Sequence, residues 1–81
     1  MRIIIQGVSL STYNYLNDVH TLIKTETLNK IDGLIDIELD TEKLFSFDFF
    51  TDKLVIRYKT TCGNIGHVML DKNKFIKTII F

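Results

Sequence analysis

The chain has 81 residues, 46% hydrophobic, 11% aromatic and 25% charged, with ten basic and ten acidic side chains and a pI of about 6.7. This is globular composition, so disorder is excluded, and no run nears the ~20 apolar residues that span a bilayer. One cysteine excludes an internal disulfide framework, and zero net charge argues against a nucleic-acid coat or a membrane-surface binder, which need basic excess.

Residues 2–8 (Arg-Ile-Ile-Ile-Gln-Gly-Val) read as a β-branched strand that Gly7 weakens near its end. The opening apolar run is too short for a signal peptide, so a cytoplasmic protein is expected. Ser9 and Ser11 are helix N-cap candidates. Tyr15, Leu16, Val19, Leu22 and Ile23 then share one helical face, which predicts a helix over about 11–24. Residues 25–31 fit either a continued helix or a strand. Asp32-Gly33 is a strong hairpin dipeptide.

Beyond Gly33 the period is close to two. Ile35, Ile37 and Leu39 alternate with Asp36, Glu38 and Asp40, and Phe45, Phe47 and Phe49 alternate with Ser46 and Asp48. The alternation places those three phenylalanines in the core, with Phe50 pointing the other way. Thr51-Asp52, Cys62-Gly63-Asn64 and Asp71-Lys72-Asn73 separate further strands over 53–59, 65–70 and 74–81. The last strand should be paired, because a free Ile-Ile-Phe end invites aggregation. The prediction is a single α+β domain over 1–81: one helix on an antiparallel meander of five to six strands, in the order β-α-β-β-β-β-β.

Ala, Pro and Trp are absent, while Ile, Lys, Asn, Phe and Tyr supply 34 of the 81 residues. Codons for the abundant set are AT-rich. The reading is an AT-rich genome, such as a low-GC bacterium, its phage or another mobile element.

Charge is unevenly placed. Residues 32–52 carry seven acids against Lys43, a net of −6, and residues 53–81 a net of +5. The plain expectation is cross-strand neutralisation of acids in 36–48 by bases in 53–59. The sharper one is that Asp36, Glu38 and Asp40 line one strand face at about 6.6–6.8 Å spacing, resembling a row of phosphates. With Glu42 they would contact a basic groove on a partner. Phe50, with Tyr13 and Phe81, is a candidate aromatic anchor.

Candidate chemistry is sparse. Cys62 and His67 could form a nucleophile–base pair only with an orienting group and an oxyanion site. Those two and His20 are too few and too scattered for zinc. Asp36, Glu38 and Asp40 in line cannot wrap a calcium ion. Gly63-Asn64-Ile65-Gly66 lacks the Lys-Ser/Thr and helix of a phosphate loop and reads as a hairpin turn. His20 is expected to be solvated on the flank of its helix. No cofactor, metal or catalytic residue is predicted.

The chain therefore reads as a small non-catalytic protein-binding module. Its favoured version is a phage or mobile-element inhibitor that blocks a host protein with the acidic strand. One alternative is a nucleic-acid face of Arg57, Lys59, Lys72, Lys74 and Lys77, with Tyr58 and Phe75 between them. The other is an assembly subunit that pairs through an edge strand such as 74–81, giving a homodimer or larger oligomer.

Overall fold

In the computed structural model, which describes residues 1–24 and 29–81, seven strands form two antiparallel sheets. The first sheet contains β1 (Ile3–Val8), β2 (Asn29–Ile31), β3 (Leu34–Glu38) and β7 (Lys77–Ile80), in the order β2-β3-β1-β7. The second contains β4 (Leu44–Phe49), β5 (Lys53–Lys59) and β6 (Ile65–Asp71), in that order. The class is α+β, as predicted. The single meander is corrected to two sheets. Only β4-β5-β6 meanders, while β1 sits between β3 and the C-terminal β7, with Ile3 opposite Ile80. Alternation specifies a strand but not its neighbour, so this long-range pairing was invisible in the pattern.

The core explains the division. Ile3, Ile5, Val8, Ile35 and Ile37 from the first sheet, with Leu39 just beyond it, meet Leu54, Ile56, Val68 and Leu70 from the second in one continuous cluster. A sheet with one apolar face must bury it, and each covers the other.

The helix is much shorter than predicted. Helix α1 covers Leu10–Asn14 and is capped by Ser9, whose Oγ accepts from the Thr12 amide at 3.2 Å. A π-helical turn follows over Tyr15–Val19, and Thr21 is left-handed at φ 55°. Weak helix formers dominate here: Thr12, Tyr13, Asn14, Asn17, Asp18, Val19 and Thr21. The chain gains more by turning. Leu22 becomes fully buried, Ile23 bridges Leu39, and the Lys24 amide donates to the Glu38 carbonyl at 2.9 Å. The ambiguous stretch 25–31 resolves only at its end, where Asn29–Ile31 is strand; residues 25–28 lie outside the described residues.

Two turns show why their residues are there. Asp32 and Gly33 have φ of 53° and 77°, the double left-handed geometry of a two-residue hairpin loop. Gly7, at φ 75°, lies in a bulge where Gln6 and Gly7 oppose Asp36 between the Ile5–Ile37 and Val8–Ile35 pairs. A Cβ at Gly7 would stand 2.5 Å from the Ile76 side chain.

Candidate functional site

The acidic strand is engaged within the molecule. Asp36 is half-buried, and its Oδ1 accepts from the Gly7 amide at 3.1 Å. Glu38 is 5% exposed. Arg2 donates to both of its oxygens, from Nη2 at 3.0 Å and Nε at 3.3 Å, and Lys24 Nζ lies 3.8 Å away. The Arg2 hydrogen bonds hold the Glu38 carboxyl below its ordinary range, against the opposing effect of desolvation. Asp40 is half-buried and 3.9 Å from Lys43 Nζ. Glu42 is exposed on a 3-10 turn over Thr41–Lys43. Glu38 thus meets Arg2 and Lys24, Asp40 just beyond β3 meets Lys43, and Asp36 accepts from a backbone amide, rather than from the bases of β5. The expected neutralisation by 53–59 fails for Asp36, Glu38 and Asp40 because β3 and β5 belong to different sheets; Asp48, on β4 beside β5, stands opposite Val55.

The basic residues divide between two sheets. Arg57 and Lys59 are exposed on β5, where Arg57 opposes Ser46 and His67. Lys72 and Lys74 sit on a 3-10 turn after β6, and Lys77 lies on β7 opposite Gln6. They do not share one sheet face.

The clearest exposed patch is apolar. Strand β4 ends the second sheet and β7 ends the first. Between them runs a groove of about 310 Å³ lined by the apolar Met1, Ile3, Leu44, Phe45, Phe47 and Ile80, with Thr41 and Ser46 as its polar residues. A register shift between Leu44 and Ser46 frees Phe45 from the alternation. Phe45 is therefore 60% exposed, whereas its neighbour Phe47 packs against the core. Phe49, placed in the core by alternation, is 54% exposed and stacks edge-on to Phe47 at 5.0 Å. Phe50 is exposed at the end of the β4–β5 hairpin, with Lys53 Nζ 5.5 Å from its ring centroid. Of its two proposed companions, Phe81 is exposed beneath the Arg2 guanidinium and Tyr13 packs against the core. Sequence reasoning missed Phe45, Met1 and Ile80 as surface residues. The apolar alternation carried no sign of the bulge or of the edge position.

Cys62 is exposed in the turn between β5 and β6, and His67 is exposed on β6. That turn is closed by Thr60 and Asn64, with Gly63 at φ 83°, the hairpin role expected of the glycines. Among the described residues, no three histidine, cysteine or acidic side chains gather as metal ligands. His20 departs from the expected solvated position: it is half-buried, and its Nδ1 is hydrogen-bonded to the Tyr58 hydroxyl. Burial lowers its pKa, because the charged imidazolium loses hydration there. No helix among the described residues is long and apolar enough to cross a membrane.

No protein family, curated protein or solved structure matches this chain.

Proposed function

We propose that the chain is a non-catalytic protein-binding module that receives an extended apolar segment of another protein in the groove between β4 and β7. The observation that carries this reading is the pair of open sheet edges flanking an apolar cleft, with Phe45 at 60%, Ile80 at 47% and Met1 at 74% exposure. Strand edges present free N–H and C=O groups, so an added strand gains main-chain hydrogen bonds. Its alternate side chains would meet Phe45 and Ile80. No charged side chain lines the groove, and its polar residues are the hydroxyls Thr41 and Ser46, so the occupant is uncharged and mainly apolar along the contacting face. Binding of this kind acts by occupancy, which suits an inhibitor that blocks a host protein. The contact lies on the aromatic edge rather than on Asp36, Glu38 and Asp40, whose carboxylates are engaged by the Gly7 amide, by Arg2 and by Lys43.

The test is capture from a low-GC bacterial lysate, with and without nuclease, by the native protein and by Phe45→Asp. Peptide arrays then map the captured protein. Expected is a protein retained after nuclease, lost with Phe45→Asp, whose binding segment is an apolar strand. Capture abolished by nuclease would overturn the reading in favour of the basic residues. A concentration-dependent dimer in sedimentation, abolished by Phe45→Asp, would instead make the occupant a second copy of this chain.

A further inference from the structure

A second cleft, of about 450 Å³, lies where the first helix ends beside the β5–β6 hairpin. We propose that it binds a small phosphate monoester, with Lys43 and Lys59 as charge partners of the phosphoryl group and His20 beside them. The volume is that of a small-molecule site, larger than inorganic phosphate needs.

The chemistry of the lining is one-sided. Lys43 and Lys59 supply ammonium groups, Thr60 and Thr61 supply hydroxyls, and no carboxylate contributes to the wall. Thr60 Oγ1 accepts from the Asn64 amide at 3.0 Å, which leaves its own proton to donate outward. Lys43 is held in place rather than free. Its Nζ donates to the Thr21 carbonyl at 2.8 Å and lies 3.9 Å from Asp40, so a ligand meets an oriented ammonium. A phosphoryl group has three outward oxygens and up to two charges, and this many donors suits it better than a carboxylate. Val19 and the Tyr58 ring give an apolar wall for an ester substituent.

Local irregularities meet at the same place. The π-helical turn over Tyr15–Val19 ends there. Thr21 is β-branched yet left-handed, a strained conformation that persists only where its surroundings enforce it. The His20 ring is fixed edge-on between Tyr15, at 4.7 Å, and Tyr58, at 5.4 Å. Tyr58 in turn lies across Gly66, where a Cβ would collide with its ring. His20 Nε2 is buried and has no hydrogen-bond partner among the described residues. The titratable groups that stack on the ring or line the cleft are Tyr15, Tyr58, Lys43 and Lys59, with no carboxylate among them; Asp40 stands 3.9 Å from Lys43 Nζ. An anion entering the cleft would supply the missing negative charge and favour the imidazolium.

The experiment is an NMR titration with phenyl phosphate, inorganic phosphate and benzoate, against sodium chloride at matched ionic strength. Expected is saturable 1:1 binding of phenyl phosphate, with shifts at His20, Thr21, Thr60 and Thr61. The His20 ring titration should move upward when the cleft is filled. Lys59→Gln, at an exposed position that leaves the fold intact, should weaken binding about tenfold, the worth of one charge-assisted hydrogen bond. Non-saturating shifts spread over Lys72, Lys74 and Lys77 would overturn the site. Saturation by benzoate equal to that by phenyl phosphate would overturn the phosphate assignment. So would inorganic phosphate saturating while phenyl phosphate does not. Binding unchanged in Lys59→Gln would remove Lys59 and the proposal with it.

Discussion

Strands β3 and β4 have the same kind of sequence and opposite fates. Both alternate apolar and polar residues, a pattern that predicts one buried face. In β3, Ile35 and Ile37 are buried, and the outward Asp36 and Glu38 are hydrogen-bonded inside the molecule. In β4, Phe47 packs against the core while Phe45 and Phe49 are exposed. The difference is position. Strand β3 lies between β2 and β1, whereas β4 ends its sheet. Alternation tells which residues share a face, but the neighbours decide whether that face is covered.

The sharpest way to break the comparison is to truncate one residue of each strand. Ile37→Ala should cost about 2–5 kcal/mol in chemical denaturation, because a fully buried side chain leaves a cavity. Phe45→Ala should stay within about 0.5 kcal/mol, as expected of an exposed position, while removing partner capture. Equal losses at both sites would mean that Phe45 belongs to the core and that the groove is closed.

Gly7 tests the bulge that sets the register of β3 against β1. Gly7→Ala should cost about 1–3 kcal/mol, since alanine is strained at φ 75° and its Cβ would press on Ile76. A variant as stable as the native protein would show that the bulge relaxes freely.

Two smaller effects separate the outward face of β3 from the helix end. The Glu38 carboxyl is held below its unfolded range by Arg2, so its contribution is present above the ordinary glutamate pKa. It is lost as pH falls through the lower, folded value. Denaturation midpoints should therefore drop on acidification, and Glu38→Gln should flatten that limb. His20 has the reverse origin but the same direction. Burial depresses its folded pKa, so the unfolded chain binds the proton first and stability falls as pH drops below about 6.5. His20→Gln should remove the part of the slope that lies above the glutamate range; an unchanged slope there would place His20 in solvent.

Local chemistry decided much of this protein before folding. Asp32-Gly33 dictated its hairpin because few other pairs accept two left-handed residues, and Ser9 capped its helix. The alternating runs beyond residue 33 became strands, with boundaries close to those expected except in the last, which covers Lys77–Ile80 rather than 74–81 because Lys72–Lys74 form a 3-10 turn. The helix did not reach residue 24, because its propensity was weak and the edge beside Glu38–Asp40 offered hydrogen bonds and burial to residues 22–24. Nothing local could announce that β1 would pair with β7, that Arg2 would reach Glu38, or that His20 would reach Tyr58 across 38 positions of chain. The candidate surfaces follow the same division. The residue types were visible in the sequence, but the bulge at Phe45, the edge position of β4 and the acid-free cleft beside His20 arise only when separate segments are packed. Turn geometry and alternation are short-range and act within a few residues, whereas exposure and charge pairing depend on which distant segment covers them.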